Sequence, residues 1–286
     1  MISTPQRGMR RTVKPYNETP DFPAERWMDM LHLEHFAFGW LTPALAYFLS
    51  ATGCAIGLQC TRQARYGRRR AVWLILAAVT IGGTGIWVMH FVAMLGFSID
   101  GAQIRFDVPL TLLSAALAIG VVGIGLYLVT TPGSGLPALL TGGAITGLGI
   151  GAMHFTGMYA MRTDVHIEYD AARVALSLVI ATVAATATLW FSMRSWGLPS
   201  TLAAALIMAA AVATMHYTGM SAMHAHAVTD AAPPEGAEPL QVLGPLLGAI
   251  SVVTVVLLIG VSMALTNPHG PTDPATTSTG ERRPVR

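Results

Sequence analysis

Seven stretches of the chain are apolar for long enough to cross a bilayer, at about 36–59, 71–97, 108–130, 136–160, 173–193, 201–222 and 240–265. Each reaches the roughly 20 residues that a hydrocarbon core asks of a helix. The polar positions obey the complementary rule. All 17 basic and 15 acidic residues fall in tails, loops or span edges. One such residue at a helix centre costs about 2.5–3.5 kcal/mol, so the exclusion is a folding constraint rather than a bias of composition. The pattern predicts an all-α membrane protein of seven transmembrane helices occupying residues 36–265. A tail over 1–35 precedes it, and residues 24–35, AERWMDMLHLEH, suit an amphipathic helix lying at the interface. Arg7, Arg10, Arg11 and Lys14 are followed by no apolar run, which excludes a signal peptide.

Composition agrees and adds exclusions. The chain is 53% hydrophobic and only 11% charged, where soluble domains average about 25% charged. A net charge of +2 gives no argument for a nucleic-acid partner. Two cysteines, Cys54 and Cys60, cannot build a disulfide framework or a cysteine-rich metal knuckle, and small packing residues on the first helix are expected.

Loop charge orients the spans. Arg62, Arg65, Arg68, Arg69 and Arg70 gather between the first two, which puts that loop in the cytoplasm. Arg194 and the tail with Arg282, Arg283 and Arg286 then share its side. Asp100, Asp107, Asp164, Glu168, Asp170, Asp230, Glu235 and Glu238 fall on the other. The expected topology has its N-terminus outside and its C-terminus in the cytoplasm. The mixed N-terminal tail, whose bases are interleaved with acids, argues weakly against it.

A repeat runs through the apolar pattern. GGTGIWVMHFVAM (82–94), ITGLGIGAMHFTGM (145–158) and MAAAVATMHYTGM (208–220) resemble one another, and their histidines, His90, His154 and His216, are 64 and 62 residues apart. RFDVPLTLLS (105–114) parallels EYDAARVALS (168–177), with Asp107 and Asp170 63 apart. The period is two spans with their loops, so the copies are parallel repeats and the histidines share one depth, about six residues from the outer helix ends.

Each copy reads Met-His-x-x-x-Met. His90/Met94, His154/Met158 and His216/Met220 sit at i, i+4 on one helix face, and Met89, Met153 and Met215 lie roughly 100° around from their histidines. Met161 and Met223 extend two of the stripes. Imidazole with soft thioether sulfur points to copper first, because zinc favours His, Cys and carboxylate while calcium and magnesium want oxygen. Haem comes second, through His/His or His/Met axial pairs. The plainer alternative is interhelical hydrogen bonding by histidine and packing by methionine. Three copies at one depth favour a site, because intramembrane ionisable residues are costly. Gly83, Gly85, Gly147, Gly151, Gly157 and Gly219 thin the motif helices for close approach. His224 and His226 are expected in a solvated loop, and His32 and His35 are peripheral ligand candidates.

These motifs resemble the signature of the bacterial MHYT domain, a seven-span integral membrane module, over roughly residues 36–265. The first copy departs, with Val92-Ala93 where the others have Thr-Gly. The resemblance implies a sensor in the bacterial plasma membrane that binds copper near its outer face and senses O2, CO or NO. By position it implies as ligands Met89, His90, Met94, Met153, His154, Met158, Met215, His216 and Met220. Family members are often fused to cyclic-dinucleotide enzymes or histidine kinases. Here residues 266–286 form a polar tail, expected to be disordered and cytoplasmic, with no room for an output domain. The expectation is a stand-alone, non-enzymatic module read by a separate cytoplasmic signalling protein. Two alternatives stay open: a copper transporter or metallochaperone, using Met193, Met208, Met263 and Cys60 near the inner face, and a haem-binding redox protein.

Overall fold

The computed structural model describes residues 31–66, 69–194, 197–228 and 232–266. Among them are seven helices long and apolar enough to span a membrane. They are α1 (Leu41–Tyr66), α2 (Arg70–Leu95), α3 (Val108–Thr130), α4 (Leu136–Tyr159), α5 (Ala171–Ser192), α6 (Leu198–Met220) and α7 (Pro239–Thr266). The chain is thus an all-α membrane protein, as the apolar pattern predicts. The first six helices close a ring, each packing on the next and α6 returning to α1, while α7 lies outside against α1 and α2. In the most apolar stretch of α2, 72% is buried; for α7 the share is 11%, so α2 belongs to the interior and α7 faces lipid.

Six short strands tie the helices together at one end: β1 (Leu33–Glu34), β2 (Ser98–Ile99), β3 (Ile104–Phe106), β4 (Met161–Thr163), β5 (His166–Tyr169) and β6 (Met223–His226). β1 pairs with β2, β3 with β4 and β5 with β6, all antiparallel. The repeated unit is therefore strand–helix–helix–strand: a helical hairpin whose open end is closed by its own two flanking strands. A further backbone bond recurs beside each ribbon. The amide of Ala37 donates to the carbonyl of Gly96 (2.9 Å), that of Asp107 to Ala160 (2.8 Å) and that of Asp170 to Ala222 (2.8 Å).

The matched aspartates are helix N-caps. The Asp107 carboxylate accepts from the Leu110 amide (3.1 Å) and that of Asp170 from the Arg173 amide (2.8 Å). Each satisfies a first-turn N–H that would otherwise be unpaired at the membrane edge. At the opposite end, Gly-Leu-Pro opens both α4 and α6, with proline in the first turn where its missing N–H costs nothing.

The first span departs from expectation. Its helix starts at Leu41 and runs to Tyr66, so Arg62 and Arg65 ride its last turns rather than a loop. Phe36, Phe38 and Trp40 are exposed, and the chain turns at Gly39 (φ 60°) before the helix begins. These aromatics suit an interfacial belt better than a buried first turn. Of the expected interfacial helix, residues 24–30 lie outside the described residues. Leu33–Glu34 form strand β1, because the backbone there pairs with Ser98–Ile99. The tail after 266 also lies outside.

The charges segregate to the two ends. Arg65 donates to the Met193 carbonyl, Arg70 stacks on Tyr127 (5.6 Å) and Arg194 on Trp190 (4.5 Å). At the strand-bearing end the bases are partnered: Arg162 pairs with Asp107 (3.0 Å), Arg105 with Glu238 (3.7 Å), and Arg173 donates to the Ser221 carbonyl.

The Leu110 amide, followed by the Arg162 guanidinium, holds the Asp107 carboxyl below its ordinary range. A depressed folded-state value stabilises the fold above the unfolded-state pKa and loses that contribution as pH falls through the folded-state value. D107N should therefore unfold at lower temperature than wild type near neutral pH in detergent, and the gap should close as pH falls below about 4. Thermal unfolding followed by circular dichroism at several pH values checks this.

Candidate metal centre

α2, α4 and α6 carry the three histidines toward the centre of the ring. His90 is five residues before the end of α2, His154 five before the end of α4, and His216 four before the end of α6. The common depth is about 6–8 Å at 1.5 Å per residue, slightly shallower than expected. α2 reaches this point through a π-helical stretch, Val79–Val88, that contains Gly82, Gly83 and Gly85. Three glycines in four residues weaken the ordinary α ladder, and the wider turn resets the helix immediately before Met89 and His90. At Gly82 the backbone of α3 is so close that a Cβ would lie 2.6 Å from the Ala118 carbonyl oxygen.

The three rings meet. His90 Nδ1 is 2.9 Å from His216 Nδ1 and 3.2 Å from His154 Nδ1, and the ring centroids are 4.8, 5.0 and 5.3 Å apart. The three are fully buried, with relative exposures of 1%, 0% and 1%. They are the one group of three or more His, Cys, Asp or Glu side chains, among the described residues, whose donor atoms converge within 4.8 Å.

The outward-facing nitrogens explain the Thr-Gly motif. His90 Nε2 packs on Gly157 and His154 Nε2 on Gly219, where an added Cβ would come within 2.6 and 2.3 Å respectively. The rings of His90 and His154 are thus each seated on the glycine of the next copy. Neither His90 Nε2 nor His154 Nε2 has a hydrogen-bond partner. The rings therefore bond to nothing in the protein but one another, which is a poor return for burying three imidazoles in hydrocarbon.

All six motif methionines, Met89, Met94, Met153, Met158, Met215 and Met220, are buried in the main apolar core. Met161 and Met223 join that cluster too, from strands β4 and β6. One turn below the histidines, Ile86, Ile150 and Val212 line an apolar cavity of about 20 Å³, room for one water-sized molecule, into which Met215 also projects.

Around the rim, His35 stacks near Phe97 (5.5 Å) and lies within electrostatic reach of His216; partial burial lowers its pKa. His32 is exposed beside Asp100 (3.9 Å). His224 and His226 are strand residues of β6 rather than loop residues, because the backbone after α6 pairs with β5. Of the inner-face candidates, Cys60 and Met208 pack in separate apolar clusters, and Met263 lies outside the described side chains.

The donor set is compatible with a metal ion: nitrogens sharing one ion at about 2.0–2.1 Å are separated by roughly 3.3–3.5 Å, a few tenths beyond the two Nδ1 spacings from His90, and all three donors lie within 4.8 Å of one another.

A family model described as a bacterial signalling protein N-terminal repeat, MHYT, matches residues 83–142 and again 147–205. This chain carries MHYT repeats. The two matched copies contain His90 and His154; the third, with His216, follows them and completes the ring. Relatives include MucR of Pseudomonas aeruginosa, a bifunctional diguanylate cyclase/cyclic di-GMP phosphodiesterase, 42% identical over 161 residues (54% of this chain, 23% of the relative). NbdA of the same organism, a cyclic di-GMP phosphodiesterase, is 39% identical over 158 residues (53% and 20%). The signaling protein YkoW of Bacillus subtilis is 30% identical over 211 residues (70% and 26%). The chain thus spans between 20% and 26% of the length of these relatives. No solved structure matches. Family and fold together make this MHYT chain a multi-pass membrane protein of signalling type.

A methyl group at either seat should displace a ring. G157A and G219A should each destabilise the protein by about 1–3 kcal/mol, the usual cost of overpacking. G151A should be milder, because the Leu178 side chain, rather than an imidazole, occupies that space. Thermal unfolding of the three variants in one detergent tests the ranking.

Proposed function

We propose that this MHYT chain is the membrane-embedded sensing part of a signalling system, holding one copper ion between His90, His154 and His216. The convergence of three Nδ1 atoms that lack any other protein partner carries the reading. Met89, Met94, Met153, Met158, Met215 and Met220, on the same helix segments as the histidines, are buried in the apolar core, and no carboxylate joins the three rings, a donor balance that favours a soft ion over zinc. Copper, when bound, supplies a redox-active centre with affinity for diatomic ligands.

The chain's own residues do the rest. The ring of six helices excludes water from the imidazoles. Gly157 and Gly219 fix the planes of two rings. The cavity lined by Ile86, Ile150 and Val212 gives O2, CO or NO an apolar place one helical turn from the rings. Mutual ring contact leaves no slot for a macrocycle, so copper is favoured over haem. The arginine-rich end faces the cytoplasm by the positive-inside rule, and the strand-bearing end with the histidines lies outside. A change at the ion alters how α2, α4 and α6 meet, and their far ends pass it to a cytoplasmic output. The names of MucR and NbdA point to cyclic-dinucleotide turnover as that output's chemistry.

Purified from copper-supplemented cells in detergent, wild type should carry stoichiometric copper by elemental analysis, and H90A/H154A/H216A should carry almost none. Equal copper in a folded triple variant overturns the reading, and a Soret band in wild type would transfer the site to haem.

A further inference from the structure

A second set of donors sits on the surface of the same end, apart from the buried rings. In the antiparallel ribbon β5–β6, His166 is directly opposite His226 and Glu168 directly opposite His224. Side chains alternate along a strand and opposed residues share a face, so all four project from one side of the ribbon. Burial confirms which side. Ala225 and Met223 are buried beneath the ribbon, whereas His166 and Glu168 are exposed and His224 and His226 half-buried. The Glu168 carboxylate lies between two imidazoles: Oε1 is 3.7 Å from His166 Nε2 and Oε2 is 3.9 Å from His226 Nε2.

We propose that His166, Glu168, His224 and His226 form a surface site for a divalent d-block cation such as Zn2+. Three imidazoles and one carboxylate are the borderline donors that such ions take, and the set contains no sulfur. Donors around a tetrahedral ion with bonds near 2.05 Å are roughly 3.3 Å apart; the two separations to Glu168 are close to that, whereas no three donors of the set yet lie within 4.8 Å of one another, so an ion has to draw the imidazoles in around the carboxylate. Long, half-exposed side chains on a paired backbone make that adjustment by rotation. The ribbon's register, fixed by the buried Met223 and Ala225, holds the donors in place. An ion here joins the strand that enters α5 to the strand that leaves α6 and so clamps the third hairpin. The inference does not depend on copper at the buried rings.

The test is calorimetric titration of the full chain in detergent with Zn2+, alongside thermal unfolding. Wild type should bind Zn2+ and unfold at a higher temperature in its presence. H166A/H226A should lose affinity by at least about tenfold and lose the thermal shift. E168Q, which keeps the shape and removes the charge, should also weaken binding by at least about tenfold. Wild-type affinity in folded H166A/H226A, or no Zn2+ uptake by wild type, overturns the proposal. If H166A/H226A does not fold, E168Q decides: tenfold weakening supports the site and unchanged affinity overturns it.

Discussion

A polar nitrogen deep in a bilayer has no water to turn to, and that constraint organises this molecule. His90, His154 and His216 are fully buried, and the hydrogen-bonding contacts they make are with one another. To bring three rings to one point, α2, α4 and α6 must enter at the same depth with the same face inward. To let the rings of His90 and His154 fit, the neighbouring copy must lack a side chain where they lie, which is the physical content of Gly157 and Gly219. Helix order around the ring and helix rotation thus follow from satisfying the same few atoms.

The strands serve that arrangement at the water-facing end. A transmembrane hairpin alone leaves its two helices free to slide and rotate, since lipid offers little preference between apolar faces. Pairing β1 with β2, β3 with β4 and β5 with β6 clamps the end of each hairpin, the second strand of each pair starting about two helical turns' worth of chain past its histidine. The recurring amide bonds from Ala37, Asp107 and Asp170 add a fixed point beside each ribbon. The histidine depth is then set by short backbone pairings outside the membrane rather than by side-chain packing inside it.

Much of this was legible in the residues. Exclusion of charge gave seven helices, and the spacing of the three histidines gave a common depth. Other features were not. The repeated Asp107 and Asp170 were visible as a pattern, but their role as caps needs the backbone amides of Leu110 and Arg173. The repeat gave a period of two spans but not where each unit begins; the hairpins pair α1 with α2, α3 with α4 and α5 with α6. That framing depends on strand pairing, and strands of two to four residues carry too little alternation to announce themselves. The start of α1 misled for a related reason: Phe36, Phe38 and Trp40 are as apolar as a span but suit an interface, and hydropathy does not distinguish the two. His224 and His226 looked solvated because they follow the last motif methionine; only the register with β5 sets them against Glu168.

The two donor sets differ as their surroundings require. The buried rings have thioethers for company and no carboxylate, so they hold no fixed negative charge in the dry interior. The ribbon carries Glu168 because water there supports the charge. They are linked by the end of α6, which continues from His216 to Met220 and, after a turn at Ser221–Ala222, into β6. Any influence of one on the other must travel along that short segment, and it can exist only if an ion at the ribbon favours one position of α6 over another. A clamp that binds equally well whatever the rotation of α6 would stabilise the fold and transmit nothing. The ribbon's bond from Asp170 to Ala222, two residues beyond the end of α6, makes indifference hard to achieve, because drawing β6 toward β5 pulls on the residue next to the helix terminus.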